Sequence, residues 1–158
     1  MKNSDTFTIK PKGEREIEVS RRFDAPRKLV FEAFTKPDLV KRWLGPVRGW
    51  AMDVCEIDLK PGGRYRYIWR RDNSEMIVAG TYREVAPPDK IVHTEQFEKP
   101  WYEGEAVITT TFVESNGQTT VTMTMLHQSQ ASRDAVLKSG MELGMMETYD
   151  QLEALLAA

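Results

Sequence analysis

The feature that most restricts this fold is a change of hydrophobic period after His127. Upstream, from about Met52, side chains alternate with period two in short runs: AMDVCEIDL, RYRYIWRRD, MIVAGTYREV, KIVHTEQF, EAVITTTFVE and TTVTMTML. Turn residues separate them: Lys60-Pro61-Gly62-Gly63, Asp72-Asn73-Ser74, Ala86-Pro87-Pro88-Asp89 and Ser115-Asn116-Gly117. Short alternating runs with such punctuation predict an antiparallel meander. Downstream, Val136, Leu137, Met141, Leu143, Met145, Tyr149, Leu152 and Leu156 recur at helical spacing. This predicts one helix of about two dozen residues over Ser132–Leu156, with Ser132 as its N-cap. An antiparallel sheet leaves one face apolar, and the terminal helix is the only predicted element long enough to cover it. Sheets twist and coil, so this one is expected to wrap around the helix. The expected class is α+β: a curved antiparallel sheet gripping a C-terminal helix. A coiled sheet and a straight rod do not match everywhere, and large side chains or a ligand must fill the gap.

The N-terminal third supplies the remaining parts. Residues 1–14 are polar and read as a loose extension, with Phe7 and Ile9 able to add a short edge strand; residues 15–157 read as one domain. Glu16–Phe23 alternates as a strand. Asp24 then fits an N-cap and Pro26 a first helical turn, opening a short amphipathic helix through Phe34. Lys36-Pro37-Asp38 breaks it and starts a second, which ends at Trp43-Leu44 before Gly45-Pro46. Two short helices follow the first long strand, at one end of the expected gap. Trp43 is therefore expected near the rim, either packed as core or closing an entrance.

Composition excludes several functions. The chain has 158 residues, 29% of them charged, with a formal net charge of −2. That balance argues against nucleic acid, which wants a clustered basic surface. No apolar run reaches the ~18 residues of a membrane helix, and the start, MKNSDTFTIK, has no signal-peptide pattern; the expected location is cytoplasmic, with no membrane partner. One cysteine, Cys55, and two histidines offer neither a disulfide nor metal-ligand spacing. Cys55 reads as a buried strand residue. Gly62-Gly63 is a turn and not a phosphate loop, because no helix follows it. No cofactor or metal is expected.

The runs FDAPRKLVFEAFTKPDLVKRWLGP, DLKPGGRYRY, GTYREVAPPDKIVHT and SGMELGMMETYDQLEALL occur in this order. Together they resemble the family related to the C-terminal domain of the activator of heat shock protein 90 ATPase, within the START-like, or SRPBCC, superfamily. The resemblance covers about residues 15–157. It implies a helix-grip fold with an internal cavity that commonly holds apolar small molecules. It also implies a stress-response association and leaves a chaperone partner open. Many relatives carry Trp where this chain has Met145, and aromatics where it has His93 and Glu95.

The alternation assigns one face of each strand to the helix side. These residues are Tyr65, Tyr67 and Trp69, then Val78 and Tyr82, then Ile91, His93, Glu95 and Phe97. Ile108 and Phe112 follow, then Val121, Met123, Met125 and His127, with Met141, Met145 and Tyr149 from the helix. Trp43, Tyr65, Tyr67, Trp69, Val78, Tyr82, His93, Glu95, Phe97, Ile108, Met123, Met125, Met141, Met145 and Tyr149 are the candidate ligand-binding residues. Methionine adapts to irregular partners, and tyrosine offers an apolar body with a polar tip. A filled core remains the competing reading. His93 and Glu95 leave three readings open: both in water or at the rim, both in an internal network, or both serving a ligand or acid–base chemistry. His127 reads as a loop-edge residue. Arg64, Arg66 and Arg70 fall on the opposite, solvated face. Gly140 and Gly144 lie on one helix face, where each costs stability and needs a packing reason or room for a ligand.

The leading expectation is a protein binding an apolar or aromatic small molecule between sheet and helix. The alternatives are an enzyme of cyclase or hydrolase type using Glu95 and His93, and a chaperone-interaction module. The enzyme ranks lower because no nucleophile–base–orienter set is visible. A homodimer is left open.

Overall fold

A computed structural model describes residues 2–99 and 102–158. Eight strands form one antiparallel sheet: β1 (Thr8–Lys12), β2 (Glu16–Phe23), β3 (Ala51–Ile57), β4 (Arg64–Arg71), β5 (Ser74–Ala86), β6 (Lys90–Phe97), β7 (Ala106–Ser115) and β8 (Gln118–Leu126). Their order is β1-β2-β8-β7-β6-β5-β4-β3, so consecutive hairpins run from β3 to β8 and β8 returns to pair with β2. The helices are α1 (Arg27–Thr35), α2 (Pro37–Trp43), α3 (Gln130–Leu137) and α4 (Met141–Ala157). The α1–α2 pair carries the chain from β2 to the far edge strand β3. This is the START-like helix-grip arrangement expected from the sequence. Register shifts between Met52 and Val54 in β3, and between Tyr82 and Glu84 in β5, bend the strands that must curl furthest.

The N-terminal residues are attached more firmly than their polarity suggests. A short 3-10 turn, Asn3–Thr6, precedes β1. Asn3 is buried and its side-chain amide donates to Glu153 Oε1 of α4 at 2.6 Å. Strand β1 pairs with β2 from Thr8↔Ser20 to Lys12↔Glu16.

Three local expectations need correction. Asp24 is not the cap of α1; Pro26 holds that position in extended conformation, and Asp24 instead accepts from Gln118 Nε2 at 2.6 Å. The Ser132–Leu156 helix is two helices. Ser129 caps α3 by accepting from the Ser132 amide, so Ser132 is the capped residue and not the cap. The chain then turns at Gly140, whose φ of 85° lies in the left-handed region, and α4 starts at Met141. Gly140 is thus a junction residue, conformationally required, and not a helix-interior glycine.

The packed core occupies one end of the grip. Ile17, Val19 and Phe23 of β2, Phe112 of β7, Val121 of β8, Val30 and Phe31 of α1 and Leu152 of α4 are all buried. Their rings interlock edge to face: Phe31 with Phe112 at 5.3 Å, Phe34 with Phe112 at 5.3 Å, and Phe23 with Tyr149 at 5.4 Å.

Candidate functional site

The other end of the grip is hollow. A cavity of about 250 Å³ lies between the sheet and the first turns of α4. Strand alternation brings Tyr67 and Trp69 (β4), Met76, Val78 and Tyr82 (β5), Ile91, His93, Glu95 and Phe97 (β6), Thr110 (β7), and Met123 and Met125 (β8) onto its wall. Phe34, Val40, Trp43 and Leu44 close one side from α1, α2 and the cap after α2, while Met141, Met145, Thr148 and Tyr149 cover it from α4. Rings, thioethers and aliphatic groups make up most of this surface.

Trp43 is wall and not gate. It is 3% exposed, its indole Nε1 donates to the Ala33 carbonyl at 2.7 Å, and its ring lies against Phe34 at 4.9 Å. Those contacts answer to α1 and α2 meeting at the Lys36-Pro37 break. Trp69 is held similarly, donating from Nε1 to the Leu44 carbonyl at 3.1 Å.

The polar members are the unusual part. Glu95 lines the cavity and is half-buried, and no hydrogen bond to its carboxylate is found among the described residues. Burial pushes its carboxyl up to about 7, because the charged form loses its water. His93, two residues away on the same face, is lowered by burial to about 4 and is neutral at ordinary pH. Its buried Nδ1 and the Tyr149 hydroxyl have no hydrogen-bond partner among the described residues. Buried polar atoms are normally paired, so two unsatisfied atoms lining one cavity, beside a half-buried carboxylate, require explanation.

The backbone around Glu95 is irregular as well. Strands β5 and β6 pair at Val78↔Phe97 and Ala79↔Gln96, and pairing resumes at Tyr82↔His93. In the interval, the Tyr65 hydroxyl donates to the Thr94 carbonyl at 2.6 Å and the Thr81 amide to Thr94 Oγ1 at 2.9 Å. Gly80 makes room: a Cβ there would sit 1.9 Å from the Thr94 carbonyl oxygen. The Tyr65 phenol is therefore spent between the strands. Although Tyr65 shares its face with Tyr67 and Trp69, it does not line the cavity. Ile108 does not either; it is 1% exposed and packed within the core. The remaining candidates from the sequence all reach the wall.

With this geometry in view, comparison with known proteins is informative. The sequence profile of the family described as "Activator of Hsp90 ATPase homolog 1-like protein" matches residues 24–157. This chain belongs to that family. No curated protein is similar enough to it to count as a match. Among solved structures, a protein from Rhodobacter sphaeroides is 29% identical with a TM-score of 0.88, covering 95% of this chain and 97% of that one. One from Staphylococcus epidermidis is 30% identical with a TM-score of 0.82, covering 95% and 93%. An HSP90 activator from Plasmodium falciparum is 21% identical with a TM-score of 0.66, covering 90% and 96%, and shares the fold.

Within this activator-homologue family member, two other expectations resolve differently and a third holds. Cys55 is half-buried, and burial raises its thiol to about 11. His127 is no loop-edge residue: it is 3% exposed, beneath the Tyr102 ring at 5.5 Å. Arg64, Arg66 and Arg70 are exposed as expected, and Arg66 and Arg70 pair with acidic neighbours, among them Glu98 and Glu75. The wall residues that alternation overlooked come mainly from α1, α2 and the cap after α2. Phe34, Val40 and Leu44 read as core of a short amphipathic helix pair, and only the route of the chain across the sheet places them at the cavity. Met76 lies two residues before Val78, a signal of period two that could have found it.

Proposed function

We propose that this protein binds a small apolar or aromatic molecule in the cavity between its sheet and α4. The observation that carries the reading is the joint character of that space: about 250 Å³, walled by Trp, Tyr, Phe and Met, with unsatisfied polar atoms on His93 and Tyr149 and the half-buried carboxylate of Glu95. Binding sites are typically concave and mostly apolar, with a few polar groups that fix orientation. An apolar cavity of about 150 Å³ accepts benzene, so this one suits a molecule of one or two rings. Glu95 and His93 orient the guest; no nucleophile stands beside either one among the wall residues.

Two measurements test this. Native mass spectrometry of freshly purified protein is expected to show a retained small molecule or, after exchange, uptake from an aromatic panel. Thermal unfolding with a panel member at 100 times its dissociation constant should show about 2.7 kcal/mol of added stability. No bound mass and no shift with any compound, alongside micromolar binding to a chaperone, would replace this reading with an interaction module of the kind named for the Plasmodium falciparum relative.

A further inference from the structure

The cavity contains an acid with no cation facing it. Among the described residues no lysine or arginine lines it. The titratable groups that face Glu95 are phenols and one imidazole: Tyr65 and Tyr67 from β4, Tyr82 from β5, His93 from its own strand, Tyr149 from α4, and Tyr102 before β7. Burial raises every one of those phenols and lowers the imidazole, so all stay neutral near neutral pH. Cys55, behind Tyr67, is neutral too. Folding half-buries this carboxyl without placing a cation among the cavity's lining residues.

Building on the proposed function, we infer that the preferred guest is an aromatic or alkyl amine, bound as its ammonium with the charged nitrogen on the Glu95 carboxylate and its apolar body among Trp43, Trp69, Met123 and Met145. Three features support this. A half-buried carboxylate has already lost part of its hydration, so pairing it with an ammonium costs less further desolvation, which eases the usual unfavourable balance of a buried ion pair. Tyr67, Tyr82 and Trp69 border the same space, and aromatic rings attract a cation through their quadrupoles. A charge-assisted hydrogen bond is about twice as strong as a neutral one. An anionic guest meets the opposite situation, since neither the neutral His93 nor any phenol offsets a second negative charge.

The test uses isosteres on one body: phenethylamine, phenethyl alcohol, ethylbenzene and phenylacetate, measured by calorimetry on the full chain at about pH 8, where the Glu95 carboxyl is ionised and alkylamines remain protonated. The amine should bind about tenfold or more tighter than the alcohol, consistent with the strength of hydrogen bonds to charged groups. Phenylacetate should bind weakest. Lowering the pH to about 5.5 should shrink the amine's advantage as the carboxyl takes up its proton. In Glu95→Gln the amine and alcohol should bind alike. If that variant does not fold, the pH series on the native protein decides. Ethylbenzene binding with no preference for the amine overturns this inference and leaves the proposed function standing. Binding of none of the four overturns both.

Discussion

The two ends of the grip are built from different materials. At the β2–β7–β8 end, Phe23, Phe31 and Phe112 pack with Ile17, Val19 and Leu152, and polar groups such as Thr119, whose hydroxyl donates to the Ala25 carbonyl at 2.7 Å, are tied into the fold. At the β4–β5–β6 end, the same kind of inward face carries Tyr, Trp, Met, His and Glu around empty space. One sheet and one helix serve both ends. From its middle onward α4 buries Thr148, Tyr149 and Leu152, whereas Met141, Gly144 and Met145 near its start are only half-buried. The difference teaches that stability and binding are divided along a single helix. The solid end holds the rod in place, so the hollow end need not be filled.

The largest expected effect would break this division if it failed. Phe112→Ala should cost about 3–5 kcal/mol, the range for removing a buried ring from a close-packed core. Met145→Ala, at the hollow end, should cost about 1 kcal/mol, because its side chain already borders free volume and half-exposed truncations leave little new cavity. Urea unfolding of the two variants reads the contrast directly. Equal losses would mean that the hollow end is as tightly packed as the solid one.

The next effect sharpens the comparison through pH. Glu95 has a folded value of about 7 against an ordinary 4.5. Between those values the native state holds more protons than the unfolded one, so this group's contribution to stability falls as pH rises. The penalty is absent below about pH 4.5 and complete above about pH 7, reaching at most about 3 kcal/mol. Glu95→Gln should therefore stabilise the protein at pH 8 and change little at pH 4.5. His93 has the opposite slope: its folded value near 4 lies below the ordinary 6.5, so its contribution grows as pH rises from about 4 to 6.5. The wild-type profile partly cancels over their common range. His93→Gln should expose the falling Glu95 slope there. Unfolding midpoints across pH for both variants check the signs. A Glu95→Gln variant no more stable at pH 8 than at pH 4.5, relative to wild type, would place that carboxylate in water.

Much of this was readable beforehand, and the exceptions share a cause. Period-two runs and a terminal helical run determine a helix-grip because an antiparallel sheet must hide one face. The Tyr67 and Trp69 facings follow from alternation alone; for His93 and Glu95 alternation gives a shared face and leaves open whether it is wet, paired or turned to a ligand. Tyr65 escapes that logic because alternation assigns a face, while its hydroxyl was drawn into the β5–β6 gap that side-chain-free Gly80 allows. The break between α3 and α4 was hidden because Leu137 and Met141 keep a four-residue spacing across it; hydrophobic period does not detect a backbone dihedral. Phe34, Val40 and Leu44 were recognisable as apolar, but their neighbours depend on where α1 and α2 cross, which local pattern does not encode. Side-chain facing was local information. Hydroxyl partners, dihedral reversals and crossing routes were tertiary.

The smallest effect probes that hidden break. Gly140 and Gly144 are four residues apart and were equivalent on a single helix. In the structure they should respond with opposite signs. Gly140 has φ of 85° at the start of α4, where an L side chain is strained whatever the space around it; Gly140→Ala should cost about 1–2 kcal/mol. Gly144 lies in helical conformation inside α4, and an added Cβ would meet nothing nearer than Val47 Cγ2 at 3.9 Å, an ordinary contact. Gly144→Ala should therefore gain up to about 1 kcal/mol from helix propensity. Urea midpoints for the two variants measure both. A neutral Gly140→Ala would mean that α3 and α4 form one continuous rod, which would brace the cavity cover from both sides. The predicted loss would instead make Gly140 the pivot of that cover, leaving the first turns of α4 held chiefly by the packed turns that follow them.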